Sequence, residues 1–322
     1  MRSLLWLCLL AGVLAFAWFL APREVVDRTI SFDPASIPND IDGWLAGREG
    51  AVSDLRPDDA KEIVWSGTTG QSTKYSIVYL HGFSASKWEI RPVPDRVAQG
   101  LKANLYFPRL SGHGRSGAAM AEPAAGDWVE DLAEAIAIGR RLGERVILVG
   151  TSTGATLAAL AATDPKLSEG LAGVVLISPN FALNNRMAWM LELPYARRWL
   201  PMIAGGERSF QPVNEDHAKH WTMRYPTVSV IPMVTLMDHV RRIDLGTAHV
   251  PALFVWSPED RVIDPRAVEA AAAEWGGPVT LDQVTLEEGD DPMRHVIAGR
   301  ILSPARTDGV ADAILNWAQR LP

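Results

Sequence analysis

The chain has one cysteine, Cys8, in 322 residues. A single thiol excludes a disulfide framework and a thiolate metal site. No His-Glu-x-x-His pattern occurs, so zinc-dependent hydrolysis has no footing in the sequence. Gly-x-Gly-x-x-Gly is absent after the first strand-like run, which removes the usual dinucleotide site. No metal or cofactor is therefore expected. Basic clusters are missing as well, and the net charge is -7, which argues against nucleic acid as a partner. Internal repeats and low-complexity tracts are also missing. What remains is a chain that is 48% hydrophobic and 21% charged, able to bury a substantial core in one large domain or two small ones.

The longest apolar run is at the N-terminus. LLWLCLLAGVLAFAWFLA, Leu4 to Ala21, follows Arg2 and precedes Pro22, Arg23 and Glu24. As a helix it would reach roughly 27 Å, close to the hydrocarbon thickness of a bilayer at about 30 Å. Trp6 and Trp18 lie near its two ends, where interfacial aromatics sit. Residues 1–21 read as a membrane anchor, with the domain that follows outside the cytoplasm. A signal sequence cleaved near Ala15-Phe16-Ala17 is the competing reading, and it would leave a secreted or periplasmic protein.

Residues 22–60 are polar and contain several prolines; they read as a tether with one short helix near Asp40 to Arg48. From there to the C-terminus, strand-like and helical patterns alternate. KEIVWSG (61–67), YSIVYLHG (75–82) and NLYFPRL (104–110) are rich in β-branched and aromatic residues. RVILVG (145–150), GVVLISP (173–179) and PALFVWS (251–257) are apolar without alternation, as strands covered on both faces are. VTLDQVTLEE (279–288) reads as one more strand. DWVEDLAEAIAIGRRLG (127–143) has apolar positions at helical spacing, and EIRPVPDRVAQGLKA (89–103) turns helical in its second half. ADAILNWAQRL closes the chain as a helix. This rhythm predicts an α/β fold over 61–322, a mostly parallel sheet flanked by helices. It breaks between about 180 and 247, a stretch of Trp, Met, Leu and Pro that reads as a mainly helical cap insertion.

Gly150-Thr151-Ser152-Thr153-Gly154 joins an apolar strand to the helix-like TLAALAAT. A serine on a sharp strand-to-helix turn has its hydroxyl pushed out, and glycines two residues either side avoid the collisions such a turn creates. The following helix directs its positive end at the same place. The motif alone is weak; its strand-turn-helix setting gives it weight. A hydroxyl needs a base, and the base needs an orienting carboxylate. On such a sheet the order is Ser, then acid, then His. His295 lies downstream of every candidate acid in Pro258-Glu259-Asp260-Arg261-Val262-Ile263-Asp264. Asp260 is the preferred acid. Glu259 and Asp264 also fit as solvated or helix-capping residues, and Asp290 and Asp291 would have to reach back around one loop. The oxyanion donors expected are the backbone N–H groups of Thr153 and of Phe83, in the loop that opens His81-Gly82-Phe83. His81 reads as a brace for that loop. His217, His220 and His239 fall in the cap, and His249 just before a strand.

YLHGFSAS, PRLSGHG, VGTSTGAT, WSPEDRVIDP and RHVIAG stand in the order seen in the α/β-hydrolase superfamily, and the chain resembles its bacterial carboxylesterase and monoglyceride-lipase-like members from about residue 60 onward. The resemblance implies Ser152 as nucleophile, Asp260 as acid, His295 as base and Phe83 and Thr153 as oxyanion donors. It implies a structural role for His113. Two departures stand out: Ala155 occupies the position of a usual glycine, and the cap matches no familiar one. The function this implies is cleavage of a small-molecule ester or lipid by a serine hydrolase, with the N-terminal segment in a membrane. The same triad would serve acyl transfer or thioester, amide or carbon–carbon hydrolysis. A non-catalytic membrane-anchored binding protein is the reading from another class.

Overall fold

The computed structural model describes residues 20–185 and 187–322, with Trp6 and Gly12. The apolar N-terminal run lies almost wholly outside the described residues. Among those described, no helix is long and apolar enough to cross a membrane.

The strands are β1 (Glu62–Val64), β2 (Thr73–Leu80), β3 (Asn104–Phe107), β4 (Gly143–Thr151), β5 (Leu171–Ile177), β6 (Glu207–Ser209), β7 (Arg224–Pro226), β8 (Ala252–Trp256) and β9 (Val279–Gln283). The α-helices are α1 (Ile41–Gly50), α2 (Val93–Leu101), α3 (Ala125–Leu142), α4 (Thr153–Thr163), α5 (Pro165–Ser168), α6 (Ala196–Ala204), α7 (Glu215–His220), α8 (Val230–Arg241), α9 (Pro265–Glu274) and α10 (Thr307–Ala318). Seven strands form one sheet in the order β1-β3-β2-β4-β5-β8-β9. β1 runs antiparallel to β3, and the other neighbours pair in parallel. β2 and β4 lie at its centre, and their side chains are buried from Ile77 to Leu80 and from Val146 to Val149. Each face carries its own apolar core. One packs α3, α4 and α9 on the sheet, and the other packs α2 and α10.

The chain leaves β2 toward one edge of the sheet and returns through β4 on the other side of β2. In an open α/β sheet, ligands bind beyond the strand carboxyl ends where the order reverses in this way. Ser152, the Gly82 loop, Asp260 and His295 all follow the carboxyl ends of sheet strands.

The stretch read as a tether holds its expected helix and is packed onto the domain. Ile37, Ile41 and Leu45 are buried in the core beside α3. Glu49, also buried, takes both forks of Arg109 at 2.8 and 2.9 Å. Its apolar positions are scattered among prolines and many polar residues, so composition alone conceals the docking. The cap, between β5 and β8, is mainly helical. It also contains an antiparallel hairpin of β6 and β7, with three residues in each strand. Arg208, Ser209 and Arg224 carry no apolar alternation, which is why no strand is legible there. Beneath the cap, Met120, Ala196, Leu200, Tyr225, Val230 and Ile231 form a third small core, against which Phe83 packs.

Candidate active site

Ser152 occupies the turn between β4 and α4 with φ 53° and ψ -115°. A serine pays for positive φ only where its surroundings over-determine it. Here they do. The Ser152 N–H donates to Ile177 O at 2.9 Å, and its carbonyl accepts from Thr156 N–H at 3.0 Å. The flanking glycines are required by close approach: a Cβ on Gly150 would sit 2.3 Å from Gly154 O, and one on Gly154 would sit 2.0 Å from Leu80 O. α4 is apolar all round and buried from Thr153 to Ala162, so the helix that aims at the turn is itself held rigidly. Ala155, in the position of a usual glycine, is fully buried. Thr153 is the first residue of α4, and its N–H has no acceptor within the helix.

Asp260 lies in the turn after β8 and His295 in the loop after β9. Asp260 Oδ2 is 2.8 Å from His295 Nδ1. A carboxylate oxygen can only accept, so Nδ1 carries the proton and Nε2 is left as the basic nitrogen. The other oxygen of Asp260 accepts from the N–H groups of Val262 (2.8 Å) and Ile263 (3.0 Å), which orients the carboxylate. Burial pushes His295 down, but the Asp260 charge and hydrogen bond, with Asp291 and Glu89 adding, outweigh it and hold its pKa above 6.5. Glu259 is exposed, and Asp264 caps α9 through Arg266 N–H. Asp291 does not take the imidazole. It accepts hydrogen bonds from the backbone N–H groups of His295 and Val296, both at 2.9 Å, and so shapes the loop that carries His295.

The Ser152 turn and the His295 loop meet at one dipeptide. Ile177 accepts the Ser152 N–H, and the next residue, Ser178, donates its hydroxyl to His295 O at 2.8 Å. On the other side, the Gly82 loop closes on the serine: a Cβ on Gly82 would lie 3.3 Å from Ser152 Cβ. His81 braces that loop. Its Nε2 accepts from Leu110 N–H at 3.2 Å, which places the proton on Nδ1 for donation to Gly82 O at 2.9 Å. Burial lowers its pKa to about 4, so it stays neutral. The Phe83 ring is half-buried and packs edge-on against His113, Trp128 and Tyr225.

Residue-by-residue reading missed three of these supports: Ser178, Glu89 and Tyr79. Ser178 has φ 41°, a non-glycine outlier invisible in the sequence. Glu89 follows the Gly82–Phe83 loop and is buried, with Oε2 accepting from Gly82 N–H at 2.7 Å and from the Tyr79 hydroxyl at 2.8 Å. Only its place a few residues after His-Gly could have signalled it.

Of the cap histidines, His220 is buried against Asp59 with Nδ1 to Oδ1 at 3.0 Å, and His217 accepts from Val213 N–H. His239 lines a groove of about 810 Å³ between the N-terminal residues Pro22–Val26 and the cap. That groove includes none of Ser152, Asp260 or His295. Among the described residues, no three His, Cys, Asp or Glu side chains gather so as to hold a metal ion.

Residues 77–315 match the model of the alpha/beta hydrolase family. The chain belongs to that family. Its fold is shared with solved structures at low identity. One comes from work on LipS and LipT, two metagenome-derived lipolytic enzymes, with 20% identity, TM-score 0.67, and 83% of this chain and 99% of that one covered. A second is the monoacylglycerol lipase of Paleococcus ferrophilus, at 15% identity and TM-score 0.58, covering 80% and 97%. A third is a soluble variant of monoglyceride lipase from Saccharomyces cerevisiae, at 12% identity and TM-score 0.58, covering 81% and 90%. No match was found among curated proteins. This family member therefore has the α/β-hydrolase fold and lipase- and esterase-like structural neighbours.

Proposed function

We propose that the protein is a serine hydrolase of carboxylic esters that works through an acyl-enzyme. The observation that carries this reading is Ser152 on a strained turn at the sheet edge where Asp260 and His295 are hydrogen-bonded at 2.8 Å. Ser152 Oγ attacks the ester carbonyl carbon while His295 Nε2 takes its proton. The carbonyl π pair moves to oxygen, and that oxyanion is met by the N–H groups of Phe83 and Thr153. Collapse breaks the carbon–oxygen bond, and the alcohol leaves with the proton from His295. Water then attacks the acyl-enzyme by the same route, releasing the acid and restoring Ser152. A fluorophosphonate probe is expected to label the purified chain at Ser152, read by peptide mass spectrometry; absence of labelling, or labelling elsewhere, removes the reading.

The substrate proposed is an acyl amphiphile such as a monoacylglycerol, taken from a membrane to which residues 1–21 attach the protein, outside the cytoplasm. The support lies on the cap. Trp189, Tyr195, Met202 and Ile203 are 56%, 47%, 78% and 64% exposed. The chain reaches that region directly from the apolar run, through Tyr195 N–H on Pro22 O at 3.1 Å and Arg197 on Glu24 at 2.6 Å. Two of the structures that share the fold are monoacylglycerol lipases by name. Long-chain monoacylglycerols and p-nitrophenyl palmitate are expected to turn over faster than p-nitrophenyl acetate. Rapid turnover of acetate with long chains untouched would overturn the lipid assignment and leave the esterase.

A further inference from the structure

Glu89 is a buried carboxyl group that the proposed reaction does not use. Its backbone N–H donates to Ser86 O at 3.0 Å, at the end of the turn that begins with Gly82. Its side chain folds back onto that turn. Oε2 accepts from Gly82 N–H at 2.7 Å and from the Tyr79 hydroxyl at 2.8 Å. Tyr79 lies in β2, and its hydroxyl is also 3.1 Å from Thr151 Oγ1, on the residue before the nucleophile. Gly82 is thus held between two side chains: a Cβ placed on it would be 2.6 Å from Glu89 Oε1 and 3.3 Å from Ser152 Cβ. The Gly82–Phe83 peptide, whose N–H is the proposed oxyanion donor, therefore starts at the amide that Glu89 grips.

The charges around Glu89 are few. Among the described residues, the titratable groups that bear on it are Tyr79 from β2 and His295 from the loop beyond β9. Burial keeps Tyr79 protonated and a donor. His295 in turn is faced by Asp260, Asp291 and Glu89. An Asp or Glu buried for structure alone usually pairs with Arg or Lys. The partners of Glu89 are instead an amide of the oxyanion loop, a hydroxyl under the elbow and the field of the base.

Resting on the serine-hydrolase reading, we infer that Glu89 is a positioning residue: its carboxyl oxygen anchors the oxyanion loop through Gly82 N–H and ties it to β2 through the Tyr79 hydroxyl. Burial raises its own pKa to about 7, against the pull of Gly82 N–H, Tyr79 and His295, and either protonation state leaves an oxygen to accept from Gly82 N–H.

Two substitutions test the anchor. In Glu89→Gln the amide oxygen still accepts from Gly82 and Tyr79. In Glu89→Ala both hydrogen bonds are lost. With p-nitrophenyl butyrate and the full chain, Glu89→Ala is expected to lower kcat by about 100-fold with KM nearly unchanged, the scale of a small misplacement of catalytic groups. Glu89→Gln is expected to restore most of that kcat, because its amide oxygen can accept both hydrogen bonds. Tyr79→Phe, which keeps the shape and removes one anchor, is expected to fall between wild type and Glu89→Ala in kcat. Wild-type kcat in Glu89→Ala overturns the anchoring role. Loss that tracks melting temperature alone, with no rescue by Gln, overturns it as well. Ser152→Ala run alongside keeps the two levels apart: if it stays active, the serine-hydrolase reading fails, whereas an inactive Ser152→Ala beside a wild-type-like Glu89 series sinks only this inference.

Discussion

Ser152→Ala is expected to reduce turnover of p-nitrophenyl esters by about 10⁶-fold, the scale on which serine nucleophiles are lost elsewhere. The substitution removes one oxygen and little else. Ser152 holds its place through backbone bonds, from its N–H to Ile177 O and from its carbonyl to Thr156 and Asn180 N–H groups. Alanine keeps all of them. Positive φ at this position costs alanine about as much as it costs serine, so the elbow should persist. Melting temperature and circular dichroism are therefore expected to match the wild type while activity disappears. Retained activity would place the nucleophile elsewhere. Equal loss of fold and activity would leave the serine's chemistry without support.

Asp260→Asn is expected to lower kcat by about 10⁴-fold with the fold intact. The reason lies in which atoms face which. Asp260 Oδ1 accepts two backbone N–H groups, from Val262 and Ile263, and Oδ2 faces His295 Nδ1. An asparagine there satisfies the two backbone donors only by turning its oxygen toward them. Its amide then donates to Nδ1, and the imidazole proton moves to Nε2, where the base must accept. The histidine is present but in the wrong tautomer. The substitution also removes the largest influence that raises the His295 pKa, so the residual activity should have its acid limb at lower pH than the wild type. Steady-state kinetics across pH on Asp260→Asn and Asp260→Ala checks this. An Asn variant with near wild-type kcat would show that Asp260 does not set the tautomer.

Much of the candidate site was legible because its signals are local. Gly150 and Gly154 announce a turn that tolerates no Cβ, and the run Thr153 to Ala162 announces a helix buried on every side. The apolar strands on either side place that turn at the edge of a covered sheet. The order Ser152, Asp260, His295 could be read along the chain without any geometry. The choice among Glu259, Asp260, Asp264, Asp290 and Asp291 could not be made with the same force. Five carboxylates sit in two loops, and only folding shows that Asp264 caps a helix, Asp291 shapes the His295 backbone and Asp260 meets the ring.

Composition misdescribes what depends on distant partners. Residues 22–60 look like a polar connector, yet Ile37, Ile41 and Leu45 are buried against α3, and Glu49 is bound by Arg109 sixty residues later. The β6–β7 hairpin forms from Glu207–Ser209 and Arg224–Pro226, segments with no strand pattern of their own. Glu89 reads as one more charged residue ahead of a helix until Tyr79 and Gly82 close around it.

By itself, then, the sequence determined the elements whose cause is short-range: periodic apolar runs, the glycine-flanked turn and the serine it carries. The tertiary structure alone decided which carboxylate meets the His295 ring, what holds the Gly82 loop and where residues 22–60 dock. Those outcomes depend on burial and hydrogen bonds between residues tens to hundreds of positions apart. A carboxylate in the chain is only a charge; enclosed by two amides and an imidazole, or by an amide and a phenol, it becomes a part with one orientation.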